Sequence, residues 1–410
     1  MLSPQYSTWS SIKFPLNFPE LNILESYLSD KNPNKVNLSL GTYCDKNGSP
    51  YILKCVKEAR SQYSKMNVSH EYLPISGLPG FIKESLLLGY GYDSHPLKKK
   101  CICGIQCLSG TYALKIGMKF LKRFYKGNKT IYISHLTWTN HYYLSRHAGL
   151  NVKFYKYYDF ENKKIDFDGL INDMIKAPNH SIFLFQICGH NPTGTDLNIE
   201  QWKEILEIIK KKNHLPFFDM AYQGLASSDP EKDAYALRMF SNFGIDLCLS
   251  QSFTKNFNLY NEKIGCLSFV TKNENEANAI KSQINIICRN EYSNPPKFSA
   301  YLIYLILSNQ TLKKDWIKDI KFMSCRINKM RDRFCDEIKK KGNENDWEFI
   351  KEQKGLYGFI GLNKNMIKEL KDKFHVYVKE SGRINCAALN EGNIEYVANA
   401  FNEITKGAKI

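Results

Sequence analysis

Between about residues 100 and 270 short apolar runs alternate with helical stretches, and few folds accept that order. Strands separated by helices pair mostly in parallel and carry helices on both faces, so the pattern predicts a doubly wound α/β domain. The expected strands are residues 105–108, 130–133, 152–155, 182–187, 216–218, 247–249 and 266–270. Several carry little charge, as strands covered on both faces should. Further on, Leu312, Trp316, Ile320, Met323, Ile327, Met330, Phe334 and Ile338 recur three or four apart and the run closes at Gly342, which predicts one long amphipathic helix over 312–341. After it, 347–350, 358–360 and 375–378 read as strands of a smaller α+β unit that also takes in the N-terminal arm. The expected organisation is a large domain over 46–310 and a small domain made from both chain ends, 1–45 plus 311–410, with the long helix linking them. A chain of 410 residues is long enough to bury two such cores.

Lysine and arginine outnumber aspartate and glutamate by 57 to 41, a formal charge of +16. That excess attracts nucleic acid, an anionic membrane surface or acidic small molecules without choosing among them. The lysines fall in short runs, such as Lys98 to Lys100, Lys210 to Lys212 and Lys339 to Lys341, as on solvated faces. Only Lys153 to Tyr158 interleaves basic and aromatic side chains as a nucleic-acid groove does, and the same alternation suits a strand. No nucleic-acid partner is expected. The 12 cysteines are scattered, without paired Cys-x-x-Cys units or a Cys/His cluster at zinc-ligand spacing, so reduced thiols and no metal are expected. No apolar run approaches the ~20 residues of a membrane helix, and residues 1–11 lack the layout of a signal peptide. The expectation is a cytoplasmic protein with no membrane contact.

The residues suited to chemistry collect where predicted strands end, the place where open α/β sheets bind ligands. Ser109-Gly110-Thr111 closes a strand and opens a helix; free N–H groups and the helix dipole there suit a phosphate, although the same triplet serves as an ordinary cap. Asn191, in His190-Asn191-Pro192-Thr193-Gly194, sits at a turn from which its amide reaches a phenolate oxygen. Asp219 ends Pro216-Phe217-Phe218 and is followed by Ala221-Tyr222. It serves either as a helix cap or as the partner of a protonated ring nitrogen, with Tyr222 reaching a ring oxygen. Lys255 stands in Ser250-Gln251-Ser252-Phe253-Thr254-Lys255-Asn256-Phe257-Asn258-Leu259-Tyr260-Asn261-Glu262-Lys263-Ile264-Gly265, between apolar strands. Hydroxyls and aromatics around an amine can desolvate it and hold a phosphate nearby, which suits Schiff-base chemistry.

With these segments, Val36-Asn37-Leu38-Ser39-Leu40-Gly41, Glu71-Tyr72-Leu73-Pro74-Ile75, Thr137-Trp138-Thr139-Asn140-His141, Arg289-Asn290-Glu291-Tyr292-Ser293-Asn294-Pro295-Pro296 and Ser381-Gly382-Arg383-Ile384-Asn385 complete a set that resembles the aspartate aminotransferases of the fold-type-I, pyridoxal-phosphate-dependent family, in that family's order and over nearly the whole chain. The resemblance implies a PLP-transferase fold and reversible transfer of the amino group from L-aspartate to 2-oxoglutarate, giving oxaloacetate and L-glutamate. It implies that Lys255 binds the aldehyde of pyridoxal 5'-phosphate, that Asp219 holds the ring nitrogen protonated, and that Asn191 and Tyr222 meet the ring oxygen while Trp138 stacks on the ring. Phosphate would be held by Ser109, Gly110, Thr111, Ser252 and Lys263. A homodimer with shared active sites is implied, Tyr72 reaching in from the other subunit. The substrate's α-carboxylate would meet Arg383, Asn191, Trp138 and the Gly41 loop, and its distal carboxylate Arg289 of the other subunit.

Elementary chemistry supports these roles. The α-proton of an amino acid is removable only if the ring can accept electron density, which a carboxylate beside the ring nitrogen favours. A freed Lys255 amine then carries the proton as general base and acid. Two arginines suit two carboxylates, each through paired hydrogen bonds. Four positions depart from the family pattern. Lys263 stands where an arginine is usual, Gln186 in place of a histidine, Cys44 in place of an arginine and Ser39 in place of a glycine. An aminotransferase of broader or aromatic specificity is the alternative reading on the same fold.

Overall fold

The computed structural model describes Trp9, Ser11, Ile12 and residues 19–408, with the backbone alone at 19–22. The remainder of the expected polar start at 1–11 lies outside the described residues. In chain order the strands are β1 (Val36–Asn37), β2 (Ile102–Cys107), β3 (Thr130–Ser134), β4 (Asn151–Tyr155), β5 (Tyr158–Asp159) and β6 (Lys164–Ile165). They continue with β7 (Ile182–Gln186), β8 (Leu215–Met220), β9 (Leu247–Ser252), β10 (Gly265–Val270), β11 (Tyr357–Phe359), β12 (Val376–Tyr377) and β13 (Arg383–Asn385).

A seven-stranded sheet runs in the order β2-β10-β9-β8-β7-β3-β4. All its pairings are parallel except those of β10, which lies antiparallel to both β2 and β9. The sheet is therefore mixed, while the α/β class and the seven strands follow the sequence pattern. Side chains alternate between two cores along a strand, as a period of two requires. Ile182 and Leu184 of β7 face one core, built with Leu114 and Met118 of the helix Gly110–Phe124; Phe183 and Phe185 face the other, built with Trp202 and Ile205 of the helix Ile199–Lys212. Burial on both faces is why these strands read as unbroken apolar runs. The edge strand β4 is mostly exposed, which explains its Lys153 and Phe154.

The long helix spans Gln310–Lys340, with Trp316, Ile320, Met323, Ile327 and Phe334 all buried. Asn309 caps it by accepting from the backbone N–H groups of Thr311 and Leu312. The chain ends meet where β1 pairs in parallel with β12, Val36 opposite Val376, and β11 pairs with β13. One expected strand is corrected. Residues 348–350 lie in a short helix, Glu348–Lys351; Ile350 and Trp347, which precedes its first turn, are buried and Glu348 is exposed. Spacing by three puts Trp347 and Ile350 on one helical face.

Candidate active site

The carboxyl ends of β7, β8 and β9 open onto a cavity of about 380 Å³. Gly41, Ser109, Gly110, Thr111, Trp138, Asn191, Asp219, Tyr222, Ser252, Lys255, Lys263 and Arg383 all line it. Residues scattered over most of the chain thus converge on one site. Tyr72 and Arg289 do not line it: Tyr72 is 85% exposed, and Arg289, exposed at the end of the helix Glu274–Glu291, bonds to the Ser293 hydroxyl.

One end of the cavity is built for an anion. Ser109 caps the helix Gly110–Phe124, its hydroxyl accepting from the Tyr112 N–H at 3.2 Å, and the other first-turn donors lie at the cavity wall. A Cβ on Gly110 would come within 2.8 Å of the Ser252 Cβ, and one on Gly265 within 2.5 Å of the Ser109 carbonyl carbon. Only glycines leave this cradle open. Exposed Lys263 adds a positive charge beside it.

Lys255 lies in the turn after β9, half-buried at the cavity wall. The turn is fixed by Leu259 N–H to the Thr254 carbonyl at 2.9 Å, by the Asn256 amide to the Gln223 carbonyl at 3.2 Å, and by the Trp316 indole N–H to the Asn256 carbonyl at 2.9 Å. Burial pushes the Lys255 amine below its ordinary range, with help from the nearby Lys263 and Arg383 charges. A larger share of it is therefore neutral and nucleophilic at a given pH.

Asp219 accepts from His141 Nε2 at 3.0 Å, and His141 Nδ1 lies 2.7 Å from the Thr137 hydroxyl. A neutral imidazole that donates from Nε2 and accepts at Nδ1 satisfies both bonds. The other Asp219 oxygen has no hydrogen-bond partner among the described residues and is left for a ligand. Gln186 grips Asn191 at two points, donating to its carbonyl at 3.0 Å and accepting from its N–H at 2.9 Å. Arg383 donates from Nη1 to Asn191 Oδ1 at 3.0 Å and from Nη2 to the Ser39 carbonyl at 2.8 Å, while its buried Nε has no partner. A buried guanidinium with a donor to spare suits a carboxylate. Ser39 uses its backbone carbonyl for this contact, so the departure from glycine does not prevent it. Cys44 lies outside the cavity lining, bridged to Pro50.

An anion cradle, an amine, a carboxylate with a free oxygen and an arginine with a free donor in one cavity form the donor set that pyridoxal phosphate requires. Three further residues carry the site. His141 orients Asp219. Tyr260 accepts from the Tyr43 N–H at 2.8 Å and pins the Gly41 loop. The Tyr357 hydroxyl accepts from Tyr222 at 3.3 Å. His141 and Tyr260 stood inside recognised stretches without a role; nothing in the sequence around Tyr357 marked it.

Residues 33–401 match the family model for aminotransferase class I and II. The chain is 41% identical over 406 residues to a mitochondrial aspartate aminotransferase of Dictyostelium discoideum, covering 98% of this chain and 95% of that one. An aromatic-amino-acid aminotransferase from Burkholderia pseudomallei, covalently bound to pyridoxal phosphate, superposes with a TM-score of 0.94 at 34% identity, covering 98% of this chain and 100% of that one. The cytoplasmic aspartate aminotransferase of Saccharomyces cerevisiae gives 0.93 at 38%, covering 97% and 98%. With the match running across the large sheet and on through the C-terminal strands, the chain belongs to the aminotransferases of class I and II.

Proposed function

We propose that this chain is an aspartate aminotransferase that moves the amino group of L-aspartate to 2-oxoglutarate with pyridoxal 5'-phosphate. The observation that carries this is the convergence of Lys255, Asp219, Asn191, Tyr222 and Arg383 on one cavity beside the Ser109–Thr111 cradle. The 41% identity to an aspartate aminotransferase supports the choice of substrate. When bound, the cofactor supplies an electron sink that makes the α-proton of an amino acid removable. Lys255 holds it through its amine, Asp219 keeps its ring nitrogen protonated, and Ser109, Gly110, Thr111, Ser252 and Lys263 hold its phosphate. Asn191 and Tyr222 face its ring oxygen and Trp138 covers the ring. Arg383 fixes the substrate's α-carboxylate, with Asn191 at its side and the Gly41 loop above. The Lys255 amine, with its proton affinity lowered by burial, takes the α-proton and returns it.

The distal carboxylate meets Arg289 of a second subunit, which also supplies Tyr72. The exposure of Tyr72 and the position of Arg289 outside this chain's own cavity support a homodimer with shared sites. Free thiols fit a reducing compartment, and a cytoplasmic location is our proposal; imaging a tagged chain in its own cell tests it. Activity on aromatic donors is favoured by one observation, the outer cavity lined by Trp138, Asn140 and Tyr143, and by the aromatic enzyme among its structural neighbours.

Absorbance of the purified protein, followed through addition of aspartate and then of 2-oxoglutarate, tests cofactor, donor and acceptor together. The expected result is a loss of the lysine-bound cofactor band with aspartate and its return with the oxo acid. A spectrum indifferent to aspartate but responsive to phenylalanine would move the assignment to the aromatic donors.

A further inference from the structure

The hydroxyl of Tyr357 takes no part in the transfer as proposed, yet it stands inside the polar network of the cavity. The side chain is buried, and the Arg383 guanidinium lies over its ring at 3.8 Å from the centroid. Its position is fixed from several sides. β11 pairs Tyr357 opposite Asn385, Arg331 Nη2 donates to the Tyr357 carbonyl at 3.4 Å, and a Cβ on Gly41 would strike the hydroxyl itself. A ring needed only to fill this space would be phenylalanine, because a buried hydroxyl costs stability unless it is bonded. Its bond is to Tyr222.

A phenol has one proton to donate and accepts as well. Tyr222 directs that proton to Tyr357 here. If Tyr222 instead serves the ring oxygen of the cofactor, its proton turns there, and Tyr357 keeps the bond only by donating in its turn. The surroundings favour this. Tyr357 is faced by the positive Arg383 and Lys379, by the Lys255 side chain and by the neutral Tyr260, while Asp219 lies on the Tyr222 side. Burial pushes both phenols up, but at Tyr357 the charges of Arg383, Lys255 and Lys379 and the bond from Tyr222 together outweigh it and leave that hydroxyl below its usual range, the more acidic donor of the two.

We propose that Tyr357 is a positioning residue for Tyr222: its hydroxyl holds the Tyr222 phenol and, when Tyr222 donates to the cofactor's ring oxygen, donates to Tyr222 to make a two-phenol chain. This rests on the placement of Tyr222 beside the ring oxygen in the proposed function. Each bond in such a chain polarises the next, so Tyr357 makes Tyr222 the stronger donor.

The pH titration of the absorbance of the Lys255-bound cofactor reads this in the holoenzyme. A donor to the ring oxygen lowers the proton affinity of the group conjugated with it, so a weaker donor moves the midpoint upward. Tyr222→Phe should give the largest rise, and Tyr357→Phe, which keeps the ring, a rise on the order of half a pH unit. KM for aspartate should stay nearly unchanged in Tyr357→Phe. The double variant should shift no further than Tyr222→Phe alone, since the chain is already broken. A Tyr357→Phe midpoint at the wild-type value while Tyr222→Phe moves, or two shifts that add, overturns the relay and leaves the placement of Tyr222 standing. A midpoint that Tyr222→Phe does not move overturns that placement and the relay with it.

Discussion

In the proposed transfer Lys255 has one amine for two tasks, holding the cofactor and carrying the α-proton, and its surroundings suit both. Burial lowers its proton affinity, while the Asp219 carboxylate pulls the other way. Lys255→Ala should still bind the cofactor through the phosphate cradle but lose the covalent link and nearly all transamination. Borohydride reduction with peptide mapping checks the link; a label on another lysine removes Lys255 from its place. Lys255 and Asp219 were legible because each sits at the end of a buried strand in a recognisable run. Gln186 was legible as a departure, but its two-point grip on Asn191 required the turn to be folded. Tyr357 was not legible: β11 brings it beside Arg383 only through pairing with β13 and beside Tyr222 only through tertiary packing.

The elements around the site act as struts. The helix Gln310–Lys340 reaches the Lys255 turn through Trp316, whose indole bonds to the Asn256 carbonyl and stacks on Phe257 with centroids 4.8 Å apart. Trp316→Ala should cost about 3–5 kcal/mol of stability through the cavity it leaves. Trp316→Phe, which keeps the stacking and loses the hydrogen bond, should cost about 1–3 kcal/mol, the range for a buried carbonyl left unpaired. Denaturant melts measure both, and an undiminished stability of Trp316→Phe would mean the bond contributes nothing. The helix Pro19–Ser29 brings Ile23 to the outer cavity and is tied at its end by Asp30. Asp30 accepts from the Asn32 N–H at 2.8 Å and from the Tyr377 hydroxyl at 2.7 Å, with His375 Nδ1 also at 2.7 Å. The Asn32 N–H first, then the Tyr377 hydroxyl, bring its carboxyl down to about 2. A lowered acid holds its full anchoring above its ordinary value of 3.8 and loses it as pH falls toward 2. Asp30→Ala should therefore speed amide exchange in Pro19–Ser29 roughly several-fold at neutral pH, as a less protected element does, and raise KM for aspartate. Unchanged exchange would place the anchor elsewhere. The long helix was legible from its period. Residues 347–350 were not, since four residues with three apolar members fit a strand and a helical turn alike.

At the scale of the whole molecule, the proposed homodimer gives the exposed Tyr72 and the outlying Arg289 a place in another copy's site. Each cavity then needs Lys255 from one chain and Arg289 from its partner. A chain with Lys255→Ala lacks the amine, and a chain with Arg289→Ala lacks the clamp it lends, so either homodimer should be nearly inactive on aspartate. In a mixed dimer the cavity around the intact Lys255 takes its Arg289 from the Lys255→Ala chain and is whole, while the opposite cavity carries both defects. Random assortment makes about half the dimers mixed, each with one working site of two, so co-refolding should restore up to about a quarter of wild-type activity, as the two-fold symmetry of an isologous dimer requires. Activity on an amino acid without a distal carboxylate separates the two defects. There the Arg289→Ala homodimer should retain activity and the Lys255→Ala homodimer should not, because only the first keeps its amine. If mixed dimers form and no mixture exceeds the sum of the separate variants on aspartate, each chain works alone and Arg289 has another task.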